Sequence, residues 1–369
     1  MKNRINNSLQ FIDVQMNGEQ LGRLALTPDS FCAFEYNADY INKGVSISPF
    51  YLPLQPGLFV AKRAPFDGNF GVFNDSLPDG WGNLLLDRYL TQQGISPYGL
   101  SQLQRLCLIG TSGRGALAYY PDNAIRNTNE WIAIDKLAAE AEKVLSSNYS
   151  SDSLELLYNY GGSSGGARPK FFITLPDGEW LIKFKASTDP ENVGVVEYQY
   201  SLLAKQCGIL MPETRLFEGK YFGVRRFDRE NNGKQHVISA AGLLNADYRI
   251  PSLDYDLLLR ACFKLTQNIE EVYKLFRLMV FNVVIKNRDD HAKNFSFRLY
   301  NNAWQLSPAY DLLPSNGFNG YHTTTVNGQG EPTQQDIFAV ANKIGLNNQR
   351  TKEIYEEIVE KCRDAKIDI

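Results

Sequence analysis

The polar run Asn287-Arg288-Asp289-Asp290-His291-Ala292-Lys293-Asn294 follows an apolar helical stretch and precedes the strand-like FSFRLY, so its polarity needs a reason. Phosphoryl transfer supplies one. It requires a carboxylate to orient the attacking hydroxyl and accept its proton, and a nearby amide oxygen to hold magnesium against phosphates. Asp289 and Asn294 have the D-x-x-x-x-N spacing of a kinase catalytic loop. A solvated turn would also favour Asn, Asp and Lys, so the run alone does not decide between the two. Further on, LSPAYDLLP sets one carboxylate, Asp311, inside an apolar, proline-flanked segment. A lone charge there requires a partner. Magnesium takes oxygen ligands and shares them with substrate phosphates, so Asn294 and Asp311 would form the protein part of its shell. The alternative is an Asp capping a turn.

Upstream, Gly161-Gly162-Ser163-Ser164-Gly165-Gly166-Ala167-Arg168-Pro169-Lys170 could present backbone N–H groups to phosphates. It matches neither G-x-x-x-x-G-K-[ST] nor G-x-G-x-x-G, and a flexible linker would have the same composition. Two β runs follow, FFITL and WLIKF, joined by Pro176-Asp177-Gly178 with its turn chemistry. The second carries Lys183, placed where a kinase-like lobe aims a lysine at phosphates. Period two puts Lys185 on the same strand face, so periodicity does not choose between the two lysines. Glu197 opens the next helix and is the nearest candidate to orient a strand lysine, although a helix N-terminus favours glutamate on its own account.

These residues need elements to hold them. From Phe11 to about Phe73 the chain reads as short strands broken by Gly and Pro. A helix is expected from about Trp81 to Gly94, and another over Trp131 to Leu145, where Ile134, Leu137, Ala138, Ala141 and Val144 make one stripe that would close the first subdomain. Between Asn148 and Pro169 the chain turns polar and glycine-rich. A helix is expected over Val196 to Gln206, the strand YFGVRRF after it, and a strongly helical pattern from Tyr255 to Asn287.

The chain has 369 residues, 43% hydrophobic and 21% charged, enough for two or three cooperating subdomains. A net charge of -3 supplies no global field for nucleic acid or anionic membranes. Five scattered cysteines without a C-x-x-C pair suggest neither a disulfide framework nor a zinc knuckle, which fits a reducing compartment. The start lacks the apolar core of a secretion signal, and the greasiest run, Leu278 to Ile285, is too short to span a bilayer. A cytoplasmic protein is expected.

Over nearly its whole length the sequence resembles the HipA-type serine/threonine kinases, the toxins of bacterial toxin–antitoxin pairs. The resemblance is carried, in order, by FNDSLPDGWGNLLLDRYL, SSGGARPK, LIKF, RRFDR, RDDHAKNFSF and LSPAYDLLP. It implies an α+β, HipA-like kinase fold: a small β-rich N-terminal subdomain in residues 1–148, a kinase-like N-lobe in 149–228 and a mostly helical C-lobe in 229–369. By the same resemblance Asp289 is the catalytic base, Asn294 and Asp311 bind Mg2+, and Lys183, ranked above Lys185, contacts the phosphates of ATP. Gly165, Gly166, Ala167, Arg168 and Lys170 would cover those phosphates, with Glu197 orienting the lysine. The backbone of Arg225, Arg226 and Phe227 would hold adenine, and His291, Lys293 and Tyr310 would border the nucleotide. Family members autophosphorylate a serine in the loop; Ser163 matches it, with Ser164 beside it. The implied partners are a protein substrate, for which an aminoacyl-tRNA synthetase is the family precedent, and a helix-turn-helix antitoxin through which operator DNA is reached indirectly. Asp290 departs from the glycine of some members and adds a charge beside the base.

Two other readings compete. A kinase-shaped scaffold could hold nucleotide without transferring phosphate, against which intact Lys183, Asp289 and Asp311 speak. A metal-dependent hydrolase could use Asp289, Asp290, His291 and Asp311, but a chain with three histidines is a poor supplier of such a site.

Overall fold

The computed structural model describes residues 9–124, 132–161, 164–230, 233–317 and 319–365. They fall into two compact units, Met1–Gly194 with Arg215–His236, and Val195–Thr214 with Val237–Ile369. The mixture of helix and sheet is the α+β class expected.

Among the described residues the first unit contains two larger sheets and a short ladder of Arg229–Glu230 with Gly233–Lys234. Strands β1 (Phe11–Met16), β2 (Glu19–Leu26), β3 (Cys32–Tyr36), β4 (Leu58–Val60) and β5 (Leu117–Tyr120) form an antiparallel sheet in the order β4-β3-β2-β1-β5. Alternation along β1 buries Ile12 and Val14 completely and leaves Phe11 at the surface. The second sheet joins β6 (Lys170–Leu175), β7 (Gly178–Lys183), β8 (Thr214–Phe217) and β9 (Tyr221–Arg225) in the order β6-β7-β9-β8. One face of its β6–β7 ladder, Phe171, Ile173, Trp180 and Ile182, is buried in a core shared with Trp81, Leu85 and Leu86 of the helix Gly80–Gln92. The helix Ile134–Leu145 adds Leu137, Ala141 and Val144 from its expected stripe.

The expected loop between Asn148 and Pro169 contains a helix instead, Ser151–Gly161, whose Leu154, Leu157 and Tyr158 enter the same core. Tyr158 stacks on Tyr89 with ring centroids 5.1 Å apart. Its spacing is helical, but an isolated segment this short is marginal and depends on the face it packs against. The segment read as continuously helical from Tyr255 is two helices, Tyr255–Thr266 and Ile269–Val284, separated where Gln267 turns left-handed (φ 51°) and Asn268 caps the second by accepting from the Glu270 N–H.

The second unit is mostly helical. It includes the bulk of Val193–Gln206, the two helices just named, Gln334–Lys343 and Asn348–Asp364, with a three-stranded sheet built on Ser296–Tyr300. Among the described residues no helix is long and apolar enough to cross a membrane.

His236, at the edge of the first unit, is 2% exposed and its Nε2 meets the Ile47 carbonyl at 2.8 Å. Burial pushes its pKa from 6.5 down to about 4. An unfolded chain therefore binds this proton first as pH falls. The stability held by the neutral ring is whole above pH 6.5 and is lost toward pH 4, a difference of about 3 kcal/mol. Thermal midpoints measured from pH 7.5 to 4.5 are expected to fall faster for wild type than for His236→Gln. Parallel curves would remove this role.

Candidate active site

The helix Ile269–Val284 is apolar on nearly every side, with Val272, Leu275, Phe276, Met279, Val280 and Phe281 all buried. It fixes where the chain enters the polar run. At its C-terminal end Asn282 and Asn287, each 2% exposed, start a buried polar chain. Asn287 Nδ2 donates to the Asp311 carbonyl and to Asn282 Oδ1, both at 3.1 Å. Asn282 Nδ2 donates to the Tyr255 hydroxyl at 3.1 Å, and that hydroxyl donates to Asp290 Oδ2 at 3.0 Å. Burial, and then the Asp290 carboxylate, push the Tyr255 phenol far above its ordinary pKa, so it stays a donor.

Asp290 is fully buried and takes three further bonds, from His322 Nδ1 at 2.9 Å and from the Thr323 and Thr324 N–H groups at 2.9 and 3.1 Å. Its charge therefore faces inward donors. This leaves Asp290 poorly suited to the metal-ligand role of the hydrolase reading. Asp289, one residue earlier, is exposed. It lines a cleft of about 200 Å³ together with His291, Tyr248, Ile250, Pro251 and Thr323.

Asn294 Nδ2 donates to the Asp289 carbonyl at 2.6 Å, which leaves the amide oxygen, the atom a hard cation takes, for a metal. Asp311 has φ 55°, a left-handed conformation that Asp tolerates better than most residues, and Asn287 grips its carbonyl. The donor set of Asn294 and Asp311 thus suits magnesium. Tyr310 supports the loop from behind, donating to the Lys293 carbonyl at 2.6 Å, while Lys293 Nζ lies 4.0 Å from the centre of the Tyr248 ring. His291 Nδ1 accepts from the Lys293 N–H at 3.2 Å and caps the short 3-10 turn Ala292–Asn294. Glu197 is buried in the helix Val193–Gln206.

In the first unit, antiparallel register sets Lys170 directly opposite Lys183, both under a tenth exposed. Opposed residues share a face, and two like charges so placed favour an anion between or beside them. Lys183 Nζ also lies 5.6 Å from the Phe222 ring centre. Lys185 is exposed and paired with Glu191. The residues present fit a phosphate-bearing ligand.

The glycine-rich loop is held by a motif whose part in this the sequence reading missed. Asp79 accepts the Gly166 N–H, and the Trp81 N–H donates to the Gly166 carbonyl at 2.9 Å. Gly80 sits at φ 34°, and a Cβ there would lie 2.4 Å from the Gly166 oxygen, so only glycine allows this approach. A Cβ at Gly166 would come within 2.4 Å of Lys170 Nζ. Gly165 and Ala167 are exposed beside it. Arg168 grips Asp189 through two bonds of 2.8 and 2.9 Å. Ser164 is 1% exposed and its hydroxyl donates to the Gly161 carbonyl at 2.6 Å. Ser163 lies outside the described residues.

At the expected hinge, the Arg226 N–H donates to the Glu179 carbonyl at 2.8 Å, which removes that donor from any base-binding role. The Arg226 side chain is buried against Asp228 at 3.0 and 2.8 Å and over the Phe172 ring at 4.4 Å. Against the cost of burial, Arg226 and Arg229 hold Asp228 well below the usual carboxylate range. Arg225 ends β9 opposite Trp180, and Phe227 follows, half-buried.

The second residue set missed in the sequence, Tyr255, Asn282 and His322, had one legible signal. Asn282 is a lone amide in an apolar helix, and a buried amide needs partners.

Two family models match the chain: the HipA N-terminal domain over residues 12–120 and the HipA-like C-terminal domain over residues 162–366, more than half of the chain. A Sinorhizobium fredii protein provisionally named kinase Y4dM is 23% identical over 394 aligned positions, covering 95% of this chain and 90% of its own. The toxin YjjJ of Escherichia coli is 27% identical over 172 positions, 42% of this chain and 38% of its own length. Among solved structures, HipA of Shewanella oneidensis MR-1, in complex with HipB and operator DNA, superposes with a TM-score of 0.73 at 17% identity, covering 95% of this chain and 88% of that one.

Proposed function

This chain belongs to the HipA family, and on that premise we propose that it is an ATP- and magnesium-dependent serine/threonine protein kinase, the toxin of a toxin–antitoxin pair. The observation that carries this reading is the polar frame of the second unit. It presents Asp289 at a cleft, commits the Asn294 amide hydrogens to the Asp289 carbonyl and fixes the Asp311 backbone through Asn287. When bound, magnesium and ATP supply the phosphoryl group and neutralise its charge.

The chain's own residues do the rest. The Asp289 carboxylate orients the acceptor hydroxyl and takes its proton. Asn294 and Asp311 hold the cation through oxygen, and Lys183, with Lys170 opposite it, holds phosphates. Gly165 and Ala167 border them through backbone N–H groups, with Gly166, whose N–H is taken by Asp79, between them, and the hinge contributes carbonyls, since the Arg226 N–H is already used. Residues 1–148, 149–228 and 229–369 are the proposed working parts, and Glu197 the residue that orients Lys183. A loop serine takes phosphate from the same site, Ser163 before Ser164, because the Ser164 hydroxyl is buried and bonded.

The antitoxin is proposed to be a helix-turn-helix protein, as the Shewanella oneidensis HipA assembles with HipB and operator DNA. A chain of net charge -3 would reach DNA through that partner.

The test is phosphate incorporation from Mg-ATP, into the protein itself and into a cell extract, with mass spectrometry of residues 161–170. Lys183→Ala is expected to cut turnover at limiting ATP about 10- to 100-fold, the worth of a charge-assisted hydrogen bond. Lys185→Ala removes an exposed ion pair and should change it by less than about fivefold. Equal losses would place the phosphate lysine elsewhere, and no incorporation by wild type would overturn the reading.

A further inference from the structure

The cleft that Asp289 lines has a second wall, a short loop of the second unit that is tied down at both ends. Asn245 turns left-handed (φ 50°) to end the helix Ala240–Leu244, and the Ala246 N–H donates to the Ala241 carbonyl at 3.0 Å. On the other side Leu253–Asp254 pairs in parallel with Thr324–Thr325, where the Thr324 N–H also holds Asp290. Between these anchors the loop bonds to itself. Asp247 Oδ1 accepts the Arg249 N–H at 3.0 Å and its Nε at 2.8 Å, and the Asp247 carbonyl accepts the Ser252 hydroxyl at 2.7 Å. The Tyr248 ring lies 6.0 Å from that of His291 and 4.0 Å from Lys293 Nζ, which joins the loop to the polar run.

Asp247 meets the charge of Arg249, so the loop offers the cleft an apolar surface: Ile250, 54% exposed, and Pro251, also exposed. A single isoleucine at a surface carries no message by itself. This one lines a concave space of about 200 Å³ that it shares with Asp289, on a backbone whose bonds lower the cost of ordering it around a ligand. Residues of an extended peptide advance about 3.3 Å each. With a hydroxyl at Asp289, the side chains that reach this wall belong to residues one or two positions away.

We propose that Tyr248, Ile250 and Pro251 form a specificity pocket for the protein acceptor, one that takes an aliphatic or aromatic side chain one or two residues from the phosphorylated serine or threonine. The inference rests on the kinase reading above, since Asp289 is what brings the acceptor to this cleft. An apolar side chain gains by leaving water against Ile250 and Pro251. A polar one would shed its water for a wall whose Asp247 and Arg249 groups are already bonded to each other, and it would find no such gain.

The test uses the full chain and fluorescent synthetic peptides with one central serine among alanines and glycines, carrying Leu, Asn or Lys one or two positions to either side. Binding is read by anisotropy without nucleotide, and transfer to the same peptides is read with Mg-ATP. Wild type is expected to bind a Leu peptide about tenfold more tightly than its Asn counterpart in at least one position. Ile250→Asp should lose that preference and favour Lys at the same position, while Ile250→Leu keeps it; the exposure of Ile250 lets both variants fold, which melting curves verify. Equal affinity for Leu and Asn peptides in every position, or a Leu preference that survives Ile250→Asp, would overturn the pocket. The two readouts separate the two claims. A Leu preference in binding with no transfer to peptide or to the chain itself would uphold the pocket and remove the kinase reading, and transfer that ignores the flanking residue would do the reverse.

Discussion

Asp289→Asn is expected to lower phosphate transfer about 10³-fold, the usual worth of a positioned general base, while leaving the thermal midpoint where it was. The side chain is exposed at its cleft, so its loss empties no core. The carbonyl of the same residue still receives the Asn294 amide, so the amide oxygen proposed to hold the cation stays placed. Nucleotide affinity should therefore change little, because in the proposed role the carboxylate meets the acceptor hydroxyl rather than ATP. Single-turnover transfer, equilibrium ATP binding and a melting curve on one preparation separate these effects. Transfer within tenfold of wild type would remove the assignment.

The adjacent substitution, Asp290→Ala, should behave in the opposite way. Here the carboxylate is fully buried and receives Tyr255, His322 and the Thr323 and Thr324 amides. Truncation strands four donors that water cannot reach, at a cost of about 3–5 kcal/mol, comparable to breaking a buried charged pair. For a unit of this size that lowers the midpoint by roughly 10 °C. Activity should fall as well, even at temperatures where the variant is folded, because the chain Asp290–Tyr255–Asn282–Asn287 ends on the Asp311 carbonyl. Melting and transfer measured together decide this. A midpoint unchanged within 2 °C would mean that the four donors find other acceptors.

The contrast between these two neighbours marks the limit of reading by spacing. D-x-x-x-x-N singled out Asp289 and Asn294 because phosphoryl transfer needs a carboxylate and an amide oxygen at that separation. The spacing could not tell which of two consecutive aspartates points outward. That depends on the strand pairing that brings Thr323 and Thr324 to Asp290, across a sequence gap no local pattern spans. Asp79 is a similar case. LPDGWG reads as a helix start, and the helix does begin at Gly80, but its grip on Gly166 arises only once the loop folds back.

The sequence by itself determined the class of elements, the β-rich start, the strand pair that bears Lys183 and the buried helix that leads into the polar run with Asp289. Each of these follows from short-range periodicity, turn chemistry and the need to bury one face. Tertiary structure alone decided that Ser151–Gly161 is a helix and that Lys170 faces Lys183. Such outcomes depend on burial against distant partners and on register. A marginal helix gains its stability from the core it joins, and a buried polar group takes the partners that long-range packing brings to it.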